Sequence, residues 1–160
     1  MNKRGFLTAS LLLTLAGCAS RLNRDVPRVE SPESLSKRQD IVMQSMAMLD
    51  RGYTYGGKKL HTGFDCSGLV SFVYRESAHI PLKGNAATLA QSTRPIDPQD
   101  AQPGDLVFFN TLGSAYSHVG IYIGEGKFIH AANEKTGIKQ EKLNHPYWSK
   151  RFQGYRTAFK

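Results

Sequence analysis

The fold of this chain is decided around Asp65-Cys66-Ser67-Gly68-Leu69-Val70, a short polar turn that runs directly into an apolar-periodic segment. Cys66 lies at the start of a predicted helix, where unpaired N–H groups and the positive end of the helix dipole favour a thiolate. Leu69, Val70 and Val73 follow it at helical spacing, so the thiol shares the stripe that faces the core. We interpret Cys66 as a candidate nucleophile that points into a buried seam.

The other cysteine, Cys18, is explained by the residues before it. Two basic residues precede an apolar run over 6–16, which ends in Leu15-Ala16-Gly17-Cys18. These are the parts of a secretory signal, and the run is too short to span a bilayer as a mature helix. The motif is similar to a bacterial lipobox, in which Cys18 becomes the lipid-modified first residue. The alternative is an ordinary signal peptide that happens to contain a cysteine.

This interpretation divides the chain into three parts. Residues 1–17 are predicted to be a lipoprotein signal peptide, residues 18–35 a lipidated N-terminus with a flexible tether, and residues 36–160 one domain. Ala19 stands where an aspartate would resemble an inner-membrane retention signal. We therefore expect a lipid anchor in the outer membrane, with the domain on its periplasmic face and no spanning helix.

Charge and cysteine content limit the partners and the stabilising interactions of the domain. The formal net charge of +8 favours anionic partners such as a cell-wall polymer or acidic head groups, although scattered Lys and Arg residues equally fit general solubility. Nucleic acid is not expected as a partner of an exported lipoprotein. With Cys18 modified, Cys66 has no disulfide partner within the chain, so an ordinary core must stabilise the domain.

Periodicity predicts helices in the first half of the domain and strands in the second. A helix is expected over 36–51, with Ser36 and Gln39 as a capping box, and a short one over 86–92. The helix that begins at Cys66 is expected to end near His79. Apolar runs predict strands at 105–109, 118–123 and 127–132, with closing strands over 147–159. The expected fold class is α+β, with the nucleophile's helix packed on an antiparallel sheet.

Two of the five histidines, His118 and His130, fall on consecutive β runs joined by a tight turn, so a hairpin could hold both rings rigidly. A two-residue turn in a regular ladder would place them on opposite faces. A three-residue loop of Gly124, Glu125 and Gly126, with a bulge at Gly126, would bring both imidazoles to one face. We therefore predict an odd loop or a bulge. A metal site of Cys66 with both histidines is the less favoured reading, because no close-spaced ligand pair accompanies them.

From Ser36 to the C-terminus the chain resembles the NlpC/P60 family of papain-like cysteine peptidases, and with the lipobox it is similar to the small murein endopeptidase lipoproteins of Gram-negative bacteria. Five motifs carry the resemblance in the family's order: Tyr53-Thr54-Tyr55-Gly56-Gly57, Asp65-Cys66-Ser67-Gly68-Leu69-Val70, Pro103-Gly104-Asp105-Leu106-Val107, Ser117-His118-Val119-Gly120-Ile121-Tyr122-Ile123-Gly124 and Phe128-Ile129-His130-Ala131.

The resemblance implies a catalytic set of Cys66 as nucleophile, His118 as base and His130 as the residue that orients the base. It also implies Tyr53, beside the nucleophile, as an oxyanion or substrate contact, and Ser67 is a further candidate for that role. The implied substrates are peptidoglycan stem peptides, cut within the stem or at a cross-link, with no metal or organic cofactor. The sequence identifies no regulatory protein.

Two other functions remain open at this level. An acyltransferase on the same scaffold would share the first half-reaction and pass the acyl group to an amine or lipid. A non-catalytic cell-wall-binding lipoprotein would need no catalytic residues, and the intact Cys66, His118 and His130 argue against it.

Overall fold

The computed structural model describes residues 30–159. The predicted signal peptide, Cys18 and the predicted tether as far as residue 29 lie outside the described residues. The helices are α1 (Pro32–Ala47), α2 (Cys66–Ala78), α3 (Ala86–Ser92) and α4 (Pro146–Ser149), with a 3₁₀ turn at Pro98–Asp100. The strands are β1 (Lys58–Lys59), β2 (Gly63–Phe64), β3 (Arg94–Ile96), β4 (Leu106–Phe109), β5 (His118–Gly124), β6 (Lys127–Asn133), β7 (Gly137–Lys142) and β8 (Phe152–Thr157).

Helix α1 lies four residues earlier in the chain than predicted. The Ser31 side chain accepts a hydrogen bond from the Ser34 amide at 3.1 Å, and Pro32 occupies the first turn, where its missing N–H costs nothing. The predicted capping box at Ser36 is therefore wrong. The helix also ends earlier, because the chain turns at Asp50 and its amide donates to the carbonyl of Ile138 on β7 at 3.0 Å.

Six strands form one sheet in the order β3-β8-β4-β5-β6-β7, and every neighbouring pair is antiparallel. The short strands β1 and β2 form a separate ribbon ahead of α2. The α+β prediction is thus confirmed. The predicted closing strands over 147–159 are partly wrong, since α4 occupies the first part and only β8 joins the sheet. Strands β3 and β7 were not predicted, because neither is an apolar run.

The sheet buries side chains on both faces. The larger cluster packs α1, α2 and α3 against one face, where Val119, Ile121 and Ile129 alternate with residues that point away. The other face carries a smaller cluster of Val107, Phe109, Phe128 and Trp148. None of the helices within residues 30–159 has the length and apolar character needed to cross a membrane.

A buried ion cluster ties the start of the described chain to the sheet. The Arg38 guanidinium donates to the Glu30 carboxylate at 2.7 and 2.9 Å and to the Asp105 carboxylate at 2.8 Å. All three side chains are at least 95% buried. The Arg38 guanidinium also lies 4.2 Å from the Phe159 ring centre. The folded part of the chain therefore includes Glu30 and the first turn of α1, which the sequence had assigned to the tether.

Candidate active site

Asp65 fixes the start of α2 and with it the position of Cys66. Its carboxylate accepts a hydrogen bond from the Gly68 amide at 2.6 Å and another from the Ser67 hydroxyl at 3.0 Å. This is a side-chain cap, which satisfies donors that the first helical turn leaves unpaired. Cys66 is therefore the first residue of the helix, as predicted, and its side chain packs against the larger core cluster.

Two glycines let the preceding loop cross the start of α2 at close range. A β-carbon on Gly68 would collide with the carbonyl oxygen of Gly57, and one on Gly57 would lie 2.5 Å from the carbonyl oxygen of Gly63. The Gly57 carbonyl also accepts from the Asp65 amide at 3.1 Å. This crossing holds the loop that carries Tyr53 against the helix end that carries Cys66.

The β5–β6 hairpin brings the two predicted histidines together. Its turn has only two residues, Glu125 and Gly126, with φ of 51° and 67°, the conformation typical of tight hairpins. The predicted three-residue loop is thus wrong, but the predicted bulge is present at another position. Tyr122 pairs with Phe128 and Gly124 with Lys127, which leaves Ile123 as the extra residue. Because of this bulge, the side chains of His118 and His130 lie on the same face of the sheet.

The imidazoles of His118 and His130 are in direct contact. Nε2 of His118 lies 2.8 Å from Nδ1 of His130, and the two rings are nearly perpendicular. Gly120 makes room for this arrangement, because a β-carbon there would lie 2.6 Å from the Phe128 ring and 3.4 Å from the β-carbon of His130. The contact occupies Nε2 of His118 and leaves its Nδ1 as the ring nitrogen available to a thiol.

Burial controls the protonation of the nucleophile and its base. Burial raises the pKa of the Cys66 thiol to about 11, although the backbone N–H of Val119 and those at the helix start favour the thiolate. The helix start does favour the thiolate, as the sequence led us to expect, but burial has the larger effect on the pKa of Cys66. Burial likewise lowers the pKa of His118 to about 4, and it lowers the pKa of His130 well below the ordinary value. Burial therefore favours a thiol and a neutral imidazole over a thiolate and an imidazolium in the resting site.

Tyr53 and Ser67 differ in how they act on the thiol. Tyr53 forms an isolated bridge with Phe64, and burial, followed by the proximity of Cys66, raises the pKa of its phenol. This places the Tyr53 hydroxyl within electrostatic reach of the nucleophile. The Ser67 hydroxyl is instead committed to the Asp65 carboxylate, and only the Ser67 backbone N–H acts on the thiol.

Two other histidines cap helices instead of joining the site. His79 ends α2 in a left-handed conformation, and Nδ1 of His145 accepts from the Tyr147 amide at the start of α4. Within the described part of the chain, no group of three or more His, Cys, Asp or Glu side chains is arranged to hold a metal ion.

Sequence reasoning missed Trp148, the only tryptophan in the chain. Its indole stacks on His118 with 5.6 Å between ring centres and meets His130 edge to face at 4.8 Å. Trp148 is distant in sequence from both histidines, and its neighbours in the chain form no motif that would connect it to them.

This chain is similar to several known proteins. Murein DD-endopeptidase MepH of Escherichia coli K12 is 37% identical over 116 residues, which are 71% of this chain and 43% of that protein. A probable endopeptidase of Haemophilus influenzae is 32% identical over 153 residues, which are 93% of this chain and 94% of that protein. The chain spans less than half the length of MepH and 28% of the gamma-DL-glutamyl hydrolase of Bacillus subtilis, another relative.

The fold has relatives among solved structures. A lipoprotein-like NLP/P60 family protein from Staphylococcus aureus superposes with a TM-score of 0.70 at 31% identity, over 87% of this chain and 46% of that one. The sequence profile of the NlpC/P60 family matches residues 50–157, which include the crossing loop, the start of α2 and the histidine hairpin. The chain belongs to the NlpC/P60 family.

Proposed function

We propose that this protein is a peptidoglycan endopeptidase that cuts peptide bonds through a cysteine nucleophile. The observation that carries the proposal is the 2.8 Å contact between His118 on β5 and His130 on β6. The backbone N–H of Val119, the residue after His118, acts on the Cys66 thiol. A thiol, a neutral imidazole beside it and a third group that orients the imidazole are what nucleophilic catalysis requires.

The reaction starts with proton transfer, because the resting thiol is protonated. Nδ1 of His118 takes the proton from Cys66 as the sulfur attacks the carbonyl carbon of the substrate. The backbone N–H of Cys66 and the Tyr53 hydroxyl are the donors proposed for the developing oxyanion. The imidazolium of His118 then protonates the leaving amine, which breaks the peptide bond and leaves a thioester on Cys66. Water activated by His118 hydrolyses the thioester and regenerates the thiol.

The substrate class follows from the relatives. Proteins named as murein and glutamyl endopeptidases or hydrolases share the family domain, and the basic surface of this chain suits the anionic cell-wall polymer. The proposed substrate is therefore the stem peptide of peptidoglycan, cut within the stem or at a cross-link.

Digestion of purified muropeptides, followed by mass identification of the products, tests this function and the choice of bond. We expect products that have gained one water per bond cut. The same digestion with added hydroxylamine measures transfer, because an acyltransferase would give mainly hydroxamates. Binding to murein sacculi without any new product would instead support a wall-binding module and contradict the proposal.

A lipid on Cys18 would place this enzyme at the periplasmic face of the outer membrane. The support is the agreement of the basic start, the short apolar run and the lipobox-like ending. Growth with labelled palmitate should label the protein, and Cys18→Ser should abolish the label. Cys66→Ser is the matched control, because it removes the other thiol and should remain labelled. Label retained in Cys18→Ser would contradict the anchor.

A further inference from the structure

His130 has a buried nitrogen without a hydrogen-bond partner. The side chain is fully buried, its Nδ1 contacts His118, and its Nε2 makes no hydrogen bond to another protein atom. Buried polar atoms are nearly always paired, so an exception in the centre of a site calls for a physical reason.

The chemistry proposed above decides which nitrogen of His130 carries its proton. When His118 accepts the thiol proton on Nδ1, its Nε2 must carry hydrogen and donate to Nδ1 of His130. His130 therefore accepts at Nδ1 and holds its own hydrogen on Nε2, the atom without a polar partner. An N–H group in this position can be accommodated by the face of an aromatic ring, which is a weak acceptor.

Trp148 lies against both imidazoles. Its ring is nearly parallel to that of His118, at 26°, and nearly perpendicular to that of His130, at 82°. The residue is 8% exposed and sits on α4, whose backbone is tied by the Trp148 amide to the His145 carbonyl at 2.9 Å. Phe128 encloses the same side of His130, with 5.0 Å between ring centres.

We propose that Trp148 is a positioning residue, whose indole packs both imidazoles, gives the Nε2–H of His130 an aromatic face and so keeps His130 in one neutral tautomer. The inference rests on the proposed cysteine peptidase function. It assigns His130 the role of an acceptor at Nδ1, with its own hydrogen held on Nε2 towards the indole.

The charged and titratable groups around the pair are few. Asp65 at the start of α2 acts on His118 and favours its protonation. Lys139, paired with His130 across β6 and β7, disfavours protonation of His130, as does His118 itself. The Cys66 thiol is near the backbone N–H of Val119, the residue after His118. A change confined to Trp148 leaves all of these in place.

The test uses nitrogen-15 histidine NMR, which reports tautomer and pKa without any substrate. In the wild type we expect His130 with hydrogen on Nε2 only, and His118 neutral down to about pH 4. Trp148→Met fills the space without an aromatic face. It should give His130 mixed tautomers and move the pKa of His118 up towards the ordinary value. Trp148→Phe should give a spectrum between those of the wild type and Trp148→Met.

Phe152→Leu is the matched control. Phe152 packs against the same cluster through Phe109 and Tyr155, so the variant should keep the wild-type histidine spectrum.

Muropeptide turnover gives the second measurement. Trp148→Met should lower kcat roughly ten- to hundredfold, which is part of the contribution of a positioned acid and base. Phe152→Leu should leave kcat unchanged once the rate is divided by the fraction of enzyme that is folded. A wild-type tautomer and pKa in Trp148→Met would overturn the proposal. If that variant does not fold, hydrogen on Nδ1 of His130 in the wild type or in Trp148→Phe would overturn it equally. Expected spectra with an inactive wild type would contradict the proposed function alone.

Discussion

Replacement of Cys66 by alanine is expected to abolish muropeptide cleavage, with a fall in kcat of about 10⁴-fold or more, as for the loss of other enzymic nucleophiles. The sulfur forms the bond to the substrate carbonyl, and no other thiol exists within residues 30–159. The side chain is small and partly exposed, so the folded structure should persist. Product mass spectrometry measures the activity, and circular dichroism with thermal melting measures the fold.

Two companion variants make this result interpretable. His118→Ala should be similarly inactive, because the Cys66 thiol then has no base. Ser77→Ala changes the same helix at its other end, where the Ser77 hydroxyl bonds only the Val73 carbonyl at 2.6 Å, and it should keep full activity. Unchanged product formation by Cys66→Ala would refute a cysteine nucleophile.

The largest effect on stability is expected from Arg38→Ala, which should lower the free energy of unfolding by about 3–5 kcal/mol, the usual cost of removing one partner from a buried ion pair. The change leaves the Asp105 carboxylate buried with one remaining donor, the Gln102 amide at 2.9 Å, and it removes the cation from the Glu30 carboxylate. Urea unfolding at pH 7, followed by circular dichroism, measures the difference.

Lys37→Ala is the matched control, one residue earlier on the same helix. Its ammonium pairs with Glu33 at 2.7 Å, one turn away, and the Glu33 side chain is 77% exposed. Solvent screens such an exposed pair almost completely, so the control should be close to neutral. Equal losses in the two variants would mean that the buried cluster contributes no more than a surface pair.

The sequence predicted well wherever a local pattern was sufficient. A capping residue followed by apolar periodicity located the start of α2, and the weak pattern over 86–92 proved to be α3 with the same bounds. The strand predicted over 118–123 is likewise present as β5 (His118–Gly124), since the apolar run that predicts it is local.

Longer-range packing produced the differences. The start of α1 depends on Ser31 and Pro32, which a charge- and proline-rich stretch had assigned to a tether. The bulge at Ile123 and the position of Trp148 depend on partners elsewhere in the chain. The raised pKa of the Cys66 thiol has the same origin. The helix start can be predicted from the sequence around Cys66, whereas burial of the thiol depends on the whole fold.

The Glu30–Arg38 contact also sets how far an anchored enzyme could work from its membrane. With a lipid on Cys18 and the chain held at Glu30, eleven residues lie between the two points, and the twelve steps from one residue to the next could cover at most about 40 Å at about 3.4 Å each. The same Arg38 guanidinium holds this end of the chain to Asp105, the residue before β4. The distance from the membrane at which the enzyme could cut the cell wall would then depend on this ion cluster as well as on the length of the segment between Cys18 and Glu30.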